Sequence, residues 1–188
     1  MKDIIDGALA IPGQLHPREL ARLYWFALQT PSGLPMVELG TFQGRTAAML
    51  CAAANKTNSE VVTIDDYTQD QAFGSKSPKE YAEMTTTNLA ALGFEPRIII
   101  GDSATVPAGI EQVGLLFIDS EHTPERFNAE CDAWLPLLVG GGILACHDYN
   151  CPIWAEMTPT INERIGSRTD EWEYLGLEIW LIGFRHVK

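Results

Sequence analysis

The sequence predicts an α/β fold built around a mainly parallel sheet, and three observations carry that prediction. Strand-like and helix-like segments alternate from Met36 onward. Some strands, such as residues 115–118 and 142–146, are apolar throughout, as strands buried on both faces are. Strand after strand then ends in a polar side chain: Glu38, Asp65, Asp102, Asp119 and the pair His147-Asp148. In such a sheet these ends share one edge, where ligands bind.

Residues 16–29 carry Leu20, Leu23, Tyr24, Phe26, Ala27 and Leu28 at the spacing of an amphipathic helix. Pro31, Gly33 and Pro35 break it ahead of a first strand at 36–39. A helix is expected at 45–54, stopped at Asn55, then a β-branched strand at 60–64. Residues 78–92 read as a helix ended by Gly93, and 97–100 as a strand. After the apolar strand 115–118, a helix at 124–138 places Phe127, Cys131, Trp134, Leu135 and Leu138 on one face. Strand 142–146, a helix at 154–165 and a terminal hairpin at 171–175 and 178–184 complete the pattern.

The 188 residues suit a single domain, 1–188, with a helical extension or lid at 1–35 and the α/β core at 36–188. With 13 Lys+Arg against 25 Asp+Glu the net charge is −12, and the basic residues are scattered. Such a surface repels phosphate backbones and argues against a nucleic-acid partner. The four cysteines show neither a CxxC pair nor zinc spacing, and Cys51 and Cys146 lie in apolar stretches, as in a reducing compartment. Lys2, Asp3 and Asp6 argue against a secretory signal, and the uncharged run 135–146 is too short and too glycine-rich to span a membrane. A cytoplasmic protein is expected.

The segment Val37-Glu38-Leu39-Gly40-Thr41-Phe42-Gln43-Gly44-Arg45-Thr46 is a strand turning into a helix through two glycines, a turn suited to a nucleotide-like ligand. It lacks the G-x-G-x-x-G spacing of dinucleotide sites, which disfavours a nicotinamide oxidoreductase.

Taken together, VELGTFQG, VVTIDDY, IIIGDS and the block LLFIDSEHTPERFNAECDAWLPLLVGGGILACHDY resemble the class I S-adenosylmethionine-dependent methyltransferases. The similarity is strongest to the small-molecule O-methyltransferase-like branch that includes cephalosporin-hydroxylase-type proteins, and it spans residues 37–150. It implies a Rossmann-like methyltransferase three-layer sandwich whose mainly parallel sheet carries a C-terminal antiparallel hairpin strand. S-adenosyl-L-methionine is the implied cofactor. Gly40, Thr41, Gln43 and Gly44 would face its methionine moiety, with Glu38 ordering the turn. Asp65 would hold the ribose, with Asp66 the competing acid. Asp102 and Ser103 would meet the adenine end, although helix capping explains them nearly as well. Asp119 is implied on the cofactor side as well.

By the same resemblance, Asp119 and Asp148 end neighbouring strands and could share an Mg²⁺-like ion, with Asn150 adding an oxygen. Metal-dependent relatives often carry a carboxylate where this chain has His147, which points to a softer ion such as Mn²⁺ or to none. His122 is the general-base candidate, because its ordinary pKa lies near working pH, and Glu121 is its competitor. Tyr149 and Trp154 would wall the pocket. The loop 68–77, with Gly74 as hinge, and the amino-terminal helix are lid candidates. With little chain after Asn150, acceptor selectivity would fall to short loops or to the second copy of a homodimer. The expected activity is O-methylation of a small-molecule hydroxyl. Two alternatives stay open: a hydroxylase-like component, and a non-catalytic binding protein on the same fold.

Overall fold

The computed structural model describes residues 2–68 and 76–188. Its seven strands are β1 (Met36–Leu39), β2 (Val61–Asp65), β3 (Arg97–Ile100), β4 (Val113–Ile118), β5 (Leu138–Cys146), β6 (Trp172–Glu178) and β7 (Leu181–His186). They form one sheet in the order β3-β2-β1-β4-β5-β7-β6. The first five are parallel, and β7 runs antiparallel between β5 and β6. The order reverses between β1 and β4, and at such a switch point the strand ends leave a crevice for a ligand.

Two apolar layers cover the sheet. On one face α1 (Lys2–Ala10), α2 (Pro17–Ala27) and α3 (Arg45–Thr57) pack on Met36, Leu115, Phe117, Ile143 and Ala145. On the other, α5 (Pro124–Trp134) and α6 (Met157–Ile161) pack on Val37, Leu39, Leu116, Ile118 and Leu144. The alternation of Met36 and Val37 between the layers is the two-residue period of a strand. A further helix, α4 (Pro78–Ala91), is capped by Ser77, whose side chain accepts from Glu80 N–H while Glu80 reaches back. In α2, Leu20, Leu23, Phe26 and Ala27 are all fully buried, and truncating one such leucine costs roughly 2–5 kcal/mol. Gly183 on β7 admits the Phe26 ring, since a Cβ there would lie 2.3 Å from it.

The boundaries depart from expectation in ways that have local causes. Residues 2–10 form a separate helix packed on α3. The helix expected at 45–54 continues to Thr57, with Asn55 and Lys56 exposed on its outer side, and Asn58 ends it in the left-handed conformation. The helix expected at 124–138 stops at Trp134, because Pro136 has no N–H to continue it. The chain crosses one 3₁₀ turn at Leu135–Leu137 and enters β5 at Leu138, so Gly140–142 belong to a strand. Of the expected helix at 154–165, only Met157–Ile161 is α-helical before a π turn at Asn162–Gly166. The terminal hairpin is present, with Ile179 and Trp180 as its turn.

All four cysteines are free and buried, and burial pushes the thiols of Cys51 and Cys131 up to about 12, so they behave as small apolar groups. Among the described residues no helix is long and apolar enough to cross a membrane.

Candidate active site

A cleft opens at the carboxyl ends of β1, β2 and β4, and the turn between β1 and α3 forms its floor. Gly40 makes that turn at φ +88°, and a Cβ on it would lie 2.2 Å from the carbonyl oxygen of Asp119. No L side chain fits there. The next residues are held by Asp65: its Oδ2 accepts the N–H groups of Thr41 (2.7 Å) and Phe42 (2.8 Å), and its Oδ1 accepts that of Tyr67 (2.7 Å). Burial nonetheless pushes the Asp65 carboxyl above its ordinary range. Phe42, Tyr67, Asp148 and Asn150 all adopt positive φ at this edge. Such strain concentrates where a chain is bent for function.

Gly40, Thr41, Asp65, Asp66, Ser103 and Asp119 line the cleft, as do Ser120, Glu121, His122 and Arg126. Gln43, Gly44, Glu38 and Asp102 are not on its wall. The Gln43 carbonyl accepts from Asn88 (3.1 Å), and Gly44 turns into α3 at φ +92°. Glu38 is fully buried, and burial together with the charges of Asp119 and Asp65 pushes its carboxyl well above the ordinary range. Asp102 accepts the N–H of Ala104 (3.0 Å) and pairs with Arg126, and these contacts hold its carboxyl down against modest burial. It caps its own loop and faces solvent.

Ser103 and Ser120 both donate to Oε1 of Glu130, at 2.5 Å each. Glu130 is fully buried on α5, where burial raises its carboxyl despite the two hydroxyls. One helix residue thus ties the loops after β3 and β4 together beneath the adenine-end candidate Ser103. The Trp134 indole N–H adds a bond to the Ser103 carbonyl, at 2.7 Å.

At the other end of the cleft lies a cluster of acids and histidines. His122 Nε2 is 2.7 Å from Asp148 Oδ2 and 3.8 Å from Asp119 Oδ1. Its ring stacks on Trp154 at 4.7 Å and 12°. Burial works against charge on this ring, but Asp119 and Asp148 outweigh it and raise His122 to about 9. Asp148 is turned toward it by a backbone at φ 60°, and the two histidines depress its carboxyl against burial. Behind it, His147 Nδ1 lies 3.2 Å from Asp119 Oδ1 and 3.3 Å from Asp148 Oδ2. His147 Nε2 lies 3.3 Å from Oε1 of Glu19. Burial again opposes the charge, yet the carboxylates hold His147 well above the ordinary histidine range. Glu121 lies nearer the solvent, 3.6 Å from Arg126. Asn150 is turned away to Thr158, and Tyr149 donates to Asn162.

The two acids weighed for a shared metal ion lie in one cluster with His122. Asp119, His122 and Asp148 each offer an atom, all within 4.8 Å of one another. Asp119 Oδ1 and Asp148 Oδ2 also face His147 Nδ1, at 3.2 and 3.3 Å. The other nitrogen of His147 faces a third carboxylate, that of Glu19. His147 is not among the three residues of the cluster, and Asp148 Oδ2 is buried with no hydrogen-bond partner among the described residues, the kind of atom an ion would satisfy.

The N-terminal segment supplies residues that the sequence did not single out. Pro12 to Leu15 form one wall of the cleft. Arg45 clasps them, donating through Nε to the Ile11 carbonyl (2.8 Å) and through Nη1 to that of Leu15 (3.2 Å). Glu19 accepts from His16 N–H (2.9 Å) and from Trp180 N–H (3.0 Å) while facing His147. A capping box would have marked Glu19, but its cap is a histidine, outside the usual Ser/Thr/Asp/Asn pattern. Glu130 falls on the apolar face of α5, which was a weak signal. Most of the expected lid at 68–77, including Gly74, lies outside the described residues.

The profile of a family described as a methyltransferase domain matches residues 37–149, more than half of the chain. The chain belongs to the methyltransferase-domain family. Solved structures with the same fold agree. A TDP-rhamnose 3′-O-methyltransferase of calicheamicin biosynthesis, CalS11, aligns at TM-score 0.63 and 19% identity over 88% of this methyltransferase and 76% of that chain. A SAM-dependent O-methyltransferase from Thermotoga maritima aligns at 0.69 and 15%, over 98% of this chain and 71% of that one. The Podospora anserina methyltransferase PaMTH1, solved with S-adenosylhomocysteine bound, aligns at 0.64 and 14%, over 100% and 87%. The methyltransferase therefore has the Rossmann-like three-layer fold that its motifs imply, with the antiparallel C-terminal strands in place.

Proposed function

We propose that this methyltransferase moves a methyl group from S-adenosyl-L-methionine to the hydroxyl of a small-molecule acceptor, with His122 as general base. The observation that carries the reading is the placement of His122 on the same cleft wall as the glycine turn and Asp65, so that a base and a cofactor cradle face one space.

The residues present fit the cofactor. Gly40 leaves the room that a Cβ would fill, and the amino terminus of α3 suits a carboxylate. Asp65 uses three of its roughly four lone-pair sites on backbone N–H groups and keeps one for a ribose hydroxyl. Asp66, engaged with the N–H and hydroxyl of Thr68, is assigned as the solvated acid. Ser103 and Ser120, held by Glu130, frame the adenine end. When bound, S-adenosylmethionine supplies an electrophilic methyl on a sulfonium.

Asp148 keeps a proton on His122 Nε2, which leaves Nδ1 to take the proton of the acceptor hydroxyl as its oxygen bonds to carbon. Because Asp119 and Asp148 raise His122 to about 9, its basic form grows as the pH climbs toward that value. Glu121, paired with Arg126 and closer to solvent, is assigned to the cleft mouth. Neutral hydroxyl acceptors suit a mouth carrying Glu121 and Asp66, and two of the structural relatives are O-methyltransferases.

The test is methyl transfer from labelled cofactor to a panel of phenols, catechols and sugars, compared with His122→Ala. The reading expects an acceptor in the panel, and a loss of roughly 10²–10⁴-fold in the variant. Cofactor binding without transfer to any of them would favour the hydroxylase-like alternative.

A further inference from the structure

Ser103 and Ser120 reach the cleft wall from the loops after β3 and β4, and one buried side chain sets how both can bond. Each gives its hydroxyl hydrogen to Oε1 of Glu130. A hydroxyl has one hydrogen, so a serine that gives it to Glu130 turns only lone pairs to the cleft. A carboxyl has at most one proton to give, so Oε1 accepts from at least one serine in either charge state. Glu130 is fully buried, and its Oε2 has no hydrogen-bond partner among the described residues. Leaving that oxygen unpaired costs stability, so packing alone does not account for an acid at this position. Two donors beside the serines are engaged. Arg126 gives Nη1 to Asp102 and turns Nε toward Glu121 at 3.6 Å, and the Trp134 indole N–H goes to the Ser103 carbonyl. Asp102, an acid expected at the adenine end, is off the wall and tied to Arg126 and its own loop.

We propose that Glu130 sets the hydrogen-bond polarity of the base subsite, holding Ser103 and Ser120 as acceptors so that this end of the cleft takes a purine bearing an amino group and rejects one bearing a carbonyl oxygen in its place. This deepens the methyltransferase reading and rests on it, and it moves the adenine contact from Asp102 to the serine pair. The adenine amino group carries two N–H donors, which matches two acceptor oxygens. A carbonyl oxygen there has no hydrogen to give. It would face the serine lone pairs and leave them desolvated and unpaired, the loss that makes a polar site reject a ligand lacking the donor. Glu130 is a positioning residue in this scheme, because it acts on the ligand only through the two hydroxyls.

The test is isothermal titration of the full chain with S-adenosylhomocysteine and with S-inosylhomocysteine, in which a carbonyl oxygen replaces the adenine amino group, for wild type and Glu130→Leu. The wild type is expected to prefer the amino form at least about tenfold. Glu130→Leu frees both hydroxyls to donate, and the preference is expected to fall to within about threefold. The ratio of the two affinities is the deciding readout, because a merely structural role would weaken both ligands alike. A wild type that binds the two ligands equally would overturn the proposal. So would a folded Glu130→Leu protein that keeps the wild-type preference. If that variant does not fold, Ser103→Ala and Ser120→Ala decide. Each removes one acceptor and should lower the preference at least about threefold, and an unchanged preference in both refutes the proposal. A folded wild type that fails to bind S-adenosylhomocysteine at all would instead refute the cofactor reading on which the inference rests.

Discussion

At the scale of single residues, the site turns on how the chain neutralises its buried acids. His122 shows the consequence for pH. Its pKa in the fold is raised to about 9 by Asp119 and Asp148, so folding favours the protonated ring. That contribution to stability is complete below the ordinary value of 6.5 and is lost as pH rises through about 9. The transfer rate is expected to rise over the same interval, because the neutral ring is the base. A pH–rate profile beside a pH series of thermal melts checks both directions, and a rate that falls across this window contradicts the assignment. Asp65 gives a second prediction. Asp65→Asn replaces one acceptor oxygen with a donor and unseats the N–H groups of Thr41, Phe42 or Tyr67. It should cost about 2 kcal/mol or more in stability and weaken cofactor binding at least roughly tenfold, read by melting and calorimetry. The acids at the strand ends were legible in the sequence because each follows an apolar run. The partners that set their behaviour were not. Glu19 lies 128 residues from His147 along the chain, and no local pattern joins them.

At the scale of elements, the β1–α3 turn carries the most sequence information and the least tolerance. Gly40 combines φ +88° with a Cβ position 2.2 Å from the Asp119 carbonyl. Gly40→Ala should therefore destabilise by roughly 2–4 kcal/mol, visible as a lower melting temperature, whereas a change at the unhindered Gly33 should cost only the strain of its own backbone. Strand cores and the glycine turn could be read directly, since an apolar run and a positive-φ requirement are local properties. Helix ends could not. Residues 124–138 keep an apolar face to Leu138, yet Pro136 closes the helix and sends Leu138 into β5. Tertiary demand for a long central strand overrode the helical periodicity there. Similarly, the Gly140–142 run resembles a loop, but β5 uses it as the strand entry that leads to His147 and Asp148.

At the scale of the molecule, the amino-terminal extension is part of the site. Arg45 ties the carbonyls of Ile11 and Leu15 to the start of α3, and Pro12 to Leu15 close one side of the cleft. Arg45→Met keeps the side-chain length and removes both bonds. It should raise the cofactor dissociation constant about tenfold while leaving the transfer rate at saturating cofactor near wild type, with faster proteolysis at residues 11–15. An unchanged dissociation constant would show that the extension is only packing. The whole account depends on one cleft holding S-adenosylmethionine between the glycine turn, Asp65 and the acid–histidine cluster. Isothermal titration of the folded protein with S-adenosylmethionine in the presence of EDTA tests this most directly. The account predicts one cofactor bound per chain, with affinity sharply reduced in Asp65→Asn. A folded protein that gives no binding at millimolar cofactor would contradict it.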